Sequence, residues 1–170
     1  METIIYVAIS ANGQVLLASE GNYQTPIDLL IDSLALAHQI GNMVIGRKTF
    51  ELFINSPGAK ESLQGIELAV ISQNKEQIEG VTFLKDIESV IEHFKKIGHT
   101  KIFVAGGALT YQNFINRGYV DEFYLNYVPV MTKNGVPLID GIKADINLTL
   151  IESRTISFDI LQAHYKVTKI

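Results

Sequence analysis

The chain of 170 residues has no cysteine, which excludes disulfides, a thiolate nucleophile and cysteine-bound zinc, and fits a reducing, cytoplasmic compartment. It has no excess of basic residues. Lys and Arg total 14 against 18 Asp and Glu, a formal charge of -4, and they are dispersed, so no nucleic-acid partner is expected. No apolar stretch approaches membrane-spanning length, and Glu2 precedes a short strand-like run without a basic leader, so neither a membrane segment nor a signal peptide is expected. Repeats, low-complexity tracts and Pro/Gly/Ser linkers are missing, which leads us to read residues 1–170 as one domain. A G-x-S-x-G elbow is absent, and with it support for serine hydrolase chemistry. His38, His93, His99 and His164 have no second ligand at helical spacing, so no metal site is expected.

What is present is a chain 47% apolar and 19% charged, the balance of a soluble globular protein. Thr3 to Ser10 is a β-rich run ending at Asn12-Gly13, and Val15 to Leu17 resumes it. Thr25 then offers an N-cap and Pro26 a first helical residue for a helix whose apolar positions are Leu29, Leu30, Leu34 and Ala37, stopped at Gly41. Met43 to Ile45, Leu68 to Ile71, Val81 to Leu84 and Lys101 to Ala105 read as strands. Thr49 to Ile54 reads as a helix, broken by the loop Asn55-Ser56-Pro57-Gly58. Asp86 caps an amphipathic helix with the stripe Ile87, Val90, Ile91, Phe94 and Ile97. After a helix ending at Gly118, the candidates Phe123 to Val130, Leu148 to Arg154 and Leu161 to Thr168 are strands without intervening helices. The expected fold is a three-layer α/β/α domain with a mostly parallel sheet and antiparallel C-terminal edge strands.

Two glycine-bearing segments, Gly46 to Glu51 and Val104 to Tyr111, lie where a strand-like run turns into a helix-like one. Free amides of a first helical turn bind anions, helped by the macrodipole. Neither segment is G-x-G-x-x-G or G-x-x-x-x-G-K-[ST], so ordinary Rossmann and phosphate-loop readings lose support. Successive strand-to-helix turns of a parallel sheet share one edge, which puts both segments at one site.

In order and spacing, these segments resemble the two cofactor motifs of dihydrofolate reductase and its superfamily relatives. Ala8 to Val15 and Gly118 to Phe123 are similar to the reductase domain of bifunctional riboflavin-biosynthesis deaminase-reductases, and the resemblance runs over nearly the whole chain. It implies NADPH as cofactor. Gly46 would open the first motif, Arg47 would face the ribose 2'-phosphate, and Lys48 and Thr49 the bridging phosphates. Ser72 matches a position near the adenosine, where Asn74 or Lys75 would add polar contacts. Gly106 and Gly107 would form a tight turn, a cis peptide included, that brings backbone close to the cofactor. Ala108, Leu109 and Thr110 would supply first-turn amides, although many folate enzymes carry a basic residue at the position of Leu109. Tyr111 on one side, and Ala8 and Ile9 on the other, match positions around the nicotinamide, while Tyr111 also suits a core aromatic.

A reduction of a carbon-nitrogen double bond needs a proton as well as a hydride, and a carboxyl shielded from water can supply it. Tyr23 to Leu29 is similar to the folate enzymes' segment that carries the catalytic acid, which makes Asp28 the candidate. Thr25-x-x-Asp28 is equally a capping-box pattern, in which Asp28 only holds helix amides. The arginine with which folate enzymes hold the glutamate tail has no counterpart at Gly65, Ile66 and Glu67, and Asp32 stands where they carry an apolar residue. The expected activity is an NADPH-dependent reduction of a small heterocycle, either dihydrofolate- or pterin-like or similar to 5-amino-6-ribosylaminouracil; the alternative is a nucleotide-binding member without efficient catalysis. Related domains pair, so a homodimer is a further expectation, with Phe123, Leu125 and Tyr127 suited either to the core or to a dimer interface.

Overall fold

The computed structural model describes residues 1–16, 23–74, 76–142 and 144–168. Its elements are β1 (Glu2–Ser10), β2 (Gln14–Val15), α1 (Ile27–Ile40), β3 (Asn42–Gly46), α2 (Arg47–Ile54), α3 (Ala59–Ser62), β4 (Glu67–Ile71) and β5 (Val81–Leu84). They continue with α4 (Ile87–Lys96), β6 (Lys101–Gly106), α5 (Ala108–Asn116), β7 (Glu122–Val128), β8 (Val136–Pro137), β9 (Leu148–Ile156) and β10 (Ile160–Val167). The sheet runs β5-β4-β3-β6-β1-β7-β10-β9, with β2 and β8 as a side ribbon on β1. From β5 to β7 all neighbours are parallel; β10 is antiparallel to β7, and β9 to β10. The expected layers and edge are therefore found, with one refinement. The strand at Phe123 belongs to the parallel part, because α5 returns the chain from β6 to lie beside β1.

Side chains of β1 alternate between two apolar cores, as the pleat requires. Ile5, Val7 and Ile9 join Val44 and Val104 beneath α4 and α5, represented by Val90, Phe94 and Phe114. Ile4 and Tyr6 join Met43, Ile45 and Phe103 beneath α1 and α2, represented by Leu29, Ala37 and Phe50. Phe123 and Leu125 are buried in the first core with Tyr127 packed against it, so that stripe is interior. Asn42, fully buried, ties two strands across the sheet. Its amide donates to the Lys101 carbonyl at 2.8 Å and its oxygen accepts from the Phe103 N–H at 3.1 Å.

Two helix starts test the expected caps. Asp86 accepts a hydrogen bond from the Ser89 N–H at 2.8 Å and caps α4, although Ile97 at its far end is 47% exposed rather than part of the buried stripe. α1 starts differently. Pro26 occupies its N-cap with no side-chain cap, so neither Thr25 nor the Thr25-x-x-Asp28 box closes that end. Gly41, with φ of 86°, ends α1 in the left-handed region and returns its N–H to the Ala37 carbonyl at 2.8 Å. The short α3 follows the loop at Gly58, and four residues are too few to leave a periodic signal in sequence.

Candidate functional site

β3 and β6 are parallel neighbours whose last residues, Gly46 and Gly106, pass directly into α2 and the Gly107 turn before α5. Two helix N-termini thus stand side by side at one sheet edge, where aligned peptide dipoles and free amides favour an anion. The register slips here: Val44 pairs with Val104 but Ile45 with Gly106, leaving Ala105 as an extra residue at the mouth of a cleft. The Gly106–Gly107 peptide is cis, and Gly106 has φ of 147°.

The two glycine turns lock into each other through threonines of the opposite helix. The Thr110 hydroxyl of α5 is 2.7 Å from the place a Cβ on Gly46 would take, and the Thr49 hydroxyl of α2 is 2.9 Å from the same point on Gly107. A side chain at either glycine would meet it. Ala108 and Thr110 are buried behind this turn, Lys48 is exposed, and Leu109 is 73% exposed, leaving the open flank of α5 without a cation. Arg47 packs over the Phe83 ring and forms ion pairs with Glu51 and Glu76, both at 2.6 Å. Ser72, just past β4 on the same edge, donates its N–H to the Leu84 carbonyl at 2.8 Å and accepts from the Asn74 N–H at 3.1 Å. Lys75 lies outside the described residues.

Beside the glycine turns, between β1, β6, α1 and α2, opens a cavity of about 710 Å³. Ala8, Gly106, Thr49 and Tyr111 form its inner end, and Leu29, Leu34, Leu52 and Phe53 its apolar walls. Among the described residues its lining is free of charged side chains; polarity comes from hydroxyls and an amide, those of Tyr23, Gln24, Thr25, Ser33, Thr49 and Ser56. Tyr111 is a core aromatic that also lines the cavity: its ring is 4% exposed, and its hydroxyl donates to the Tyr6 carbonyl at 2.8 Å. Burial pushes the Tyr111 hydroxyl above the usual phenol range, so it stays a donor. The Tyr23 hydroxyl is buried and finds no partner among the described residues, and burial pushes its pKa up to about 12.

Two expected site residues lie elsewhere. Ile9 faces the opposite core, because β1 turns successive side chains to opposite faces and Ala8 takes the cavity side. Asp28 is exposed on the first turn of α1, is paired with the Ser157 hydroxyl, and is not among the residues lining the cavity. The shielding assumed for this carboxyl is absent, since the adjacent Leu29 and Leu30 turn inward in its place.

Behind Tyr6, outside the cavity and in a separate pocket with Arg154, Gln162 and His164, lies Asp32. It accepts from the Tyr6 hydroxyl at 2.9 Å, from the Gln162 amide at 2.9 Å, and from the Arg154 guanidinium. Gln162 also donates to Asn126 at 2.8 Å, so the network runs from α1 through β10 to β7. Burial and Asp32 together raise the Tyr6 pKa, keeping its hydroxyl protonated. Sequence reading missed Tyr6 as a cavity residue; its parity with Ala8 along β1 was the available signal. Arg154 and Gln162 left none, because their meeting with Asp32 depends on strand register.

A mostly parallel sheet with antiparallel edge strands and helices on both faces is the fold of the α/β proteins to which the chain is similar. The model of the RibD C-terminal domain matches residues 58–162, and the chain belongs to that family. YyaP of Bacillus subtilis (strain 168), an uncharacterized protein, is 31% identical over an alignment of 140 positions that covers 75% of this chain and 74% of YyaP. YwjB of the same organism, likewise uncharacterized, is 24% identical over 96% of this chain and 97% of its own. Among solved structures, a putative riboflavin biosynthesis protein from Shewanella sp. PV-4 superposes with a TM-score of 0.77 at 19% identity, covering 99% of this chain and 100% of its own. A pyrimidine reductase-like protein from Corynebacterium diphtheriae gives 0.73 at 17% identity, covering 99% and 92%. These likenesses support a reductase-type protein and establish the shared fold. Among the described residues no helix is long and apolar enough to cross a membrane, and no group of three or more acidic or histidine side chains is placed to hold a metal.

Proposed function

We propose that this protein is a nicotinamide-dinucleotide-dependent reductase acting on a small, planar, conjugated heterocycle of pterin or pyrimidine type, with NADPH as the first donor to test. The observation that carries this reading is the shared wall between anion site and cavity: Thr49 and Gly106 belong to both. Helix starts at Arg47 and Ala108 suit a pyrophosphate, and the glycines let the two helix starts close on each other around it. A bound dihydronicotinamide would supply hydride to an electrophilic carbon of the substrate. Ala8, Gly106 and Tyr111 would hold that ring at the inner end, and the leucine walls would exclude water from it. Hydroxyls of Tyr23, Thr25 and Ser33 would orient the heterocycle's polar edge. A volume of about 710 Å³ accommodates a fused heterocycle beside a nicotinamide.

A second reading, nucleotide binding without efficient turnover, is favoured by one specific observation: among the described residues, no carboxyl lines the cavity. Titration of nicotinamide fluorescence with the protein, followed by absorbance at the reduced-nicotinamide band with dihydropterin and aminouracil substrates, separates the two. Binding with turnover supports the first reading, binding without turnover the second, and no binding at micromolar protein overturns both. Asp28→Asn is expected to leave binding and any turnover within about twofold of the parent, because its carboxyl is exposed outside the cavity. A loss of turnover with binding intact would restore Asp28 as the proton donor.

A further inference from the structure

A dinucleotide anchored by its pyrophosphate at the α2 and α5 N-termini must send its two halves in opposite directions along the sheet edge. The cavity takes one half on the β1 side. The other half has to cross the ends of β3 and β4, where the surface consists of Ser72, Arg47, Phe83 and the residues paired with Arg47. A ribose lying there is recognised in one of two ways: a cation receives a 2'-phosphate, or a carboxylate accepts from a free 2'-hydroxyl.

Among the described residues Arg47 is the cation beside Ser72 and Phe83, and it is already engaged. Its Nε binds Glu51 at 2.6 Å, and a terminal nitrogen binds Glu76 at 2.6 Å from the loop after β4. The guanidinium side chain is only 29% exposed and its face rests over the Phe83 ring. The two carboxylates raise its pKa further, Glu51 through the larger effect. Charges carried by α2 and by the partners of Arg47 are Arg47 and Lys48 against Glu51 and Glu76, which sum to zero. A phosphate dianion arriving there would have to lie beside two carboxylates that already balance the guanidinium charge. A free 2'-hydroxyl would donate to Glu76 without disturbing either pair. The flank of α5 adds no compensating charge, since the exposed residue there is Leu109.

We propose that Glu51 and Glu76 neutralise Arg47 as a 2'-phosphate receptor, so that this site binds NADH at least as well as NADPH. The proposal rests on the nicotinamide reading above and names its specificity determinant. Dissociation constants for NADH and NADPH are measured by nicotinamide fluorescence on the full chain and on the Glu51→Gln/Glu76→Gln variant, with thermal melts to confirm folding. The parent is expected to bind the two nucleotides within about threefold of each other, or to favour NADH. The double variant, with Arg47 released, is expected to shift the ratio toward NADPH by about fivefold, the scale of one relieved surface charge interaction, while NADH affinity moves less than about twofold. A parent that prefers NADPH by more than about threefold overturns the proposal and leaves the reductase reading intact, as does a variant whose ratio is unchanged. Failure of either nucleotide to bind the parent removes the reading on which the proposal rests.

Discussion

The Thr49 hydroxyl on α2 lies 2.9 Å from the point where a Cβ on Gly107 would sit, and the Thr110 hydroxyl on α5 lies 2.7 Å from the same point on Gly46. Each helix start therefore covers the glycine that precedes the other. Gly46→Ala and Gly107→Ala should each force a threonine away from the anion site, weakening nucleotide binding by more than about tenfold and destabilising the fold by about 1–3 kcal/mol. Gly80→Ala is the informative comparison. Its φ of 76° carries backbone strain, but the Cβ would meet no atom within 4 Å, so it should lower Tm without touching affinity. Equal losses of affinity in all three variants would refute the interlock.

Gln162 is 2% exposed and joins Asp32, Asn126 and Arg154 through its amide. Gln162→Leu should strand the Asn126 oxygen without its donor and remove one donor from Asp32, for a loss of about 1–3 kcal/mol. For a chain of this size that is roughly 2–4 °C in Tm per kcal/mol. Asp32→Asn should behave differently, because the amide retains one oxygen for Tyr6 or Gln162 but presents N–H groups to Arg154. A double-mutant cycle between positions 32 and 162 should give a coupling of at least about 0.5 kcal/mol, and additivity within error would dissolve the network.

Asp86 caps α4 by accepting from the Ser89 side chain and N–H, and these bonds, the side-chain one first, hold its carboxyl below the ordinary 3.8. A folded pKa below the unfolded one means the cap's contribution is fully present above the unfolded pKa. It is lost as pH falls through the folded value. The Tm gap between the parent and Asp86→Ala should then be constant from neutral pH down to about 5 and close below about 4. A gap that persists at pH 2 would assign the loss to packing rather than to the charged cap.

Such local devices were legible in the sequence because their signals are local. Asp86 announces its helix three residues before Ser89, and the strand-turn-helix passages at Gly46 and Gly106 carry glycine where side chains would collide. Apolar runs gave the sheet, since a strand buried on both faces reads as continuous Val and Ile. The cleft was less legible. Whether Ala8 or Ile9 faces it depends on the parity of β1 against its neighbours, and the rotation of α1 decides that Leu29, Leu30, Ser33 and Leu34 line it while Asp28 and Asp32 do not. That rotation is set by the packing of Leu29 and Ala37 rather than by the Thr25 cap pattern. Arg154 and Gln162 reach Asp32 across more than a hundred residues of chain, a meeting fixed by the β9 and β10 register alone.

The Tyr23 hydroxyl provides the sharpest separation of stability from recognition. It is buried and without a partner among the described residues, and an unsatisfied buried hydroxyl costs about 1–3 kcal/mol. Evolution of a purely structural aromatic would favour phenylalanine there, whereas a hydroxyl awaiting a polar ligand is held at that cost. Tyr23→Phe should therefore leave Tm unchanged or raise it. In the same variant, KM for a heterocyclic substrate should rise severalfold, about what one lost neutral hydrogen bond removes, with the nucleotide dissociation constant unmoved because Tyr23 does not touch the glycine turns. A fall in Tm with unchanged KM would make Tyr23 a packing residue, and the cavity's polar recognition would then rest on the remaining groups, Gln24, Thr25, Ser33, Thr49 and Ser56.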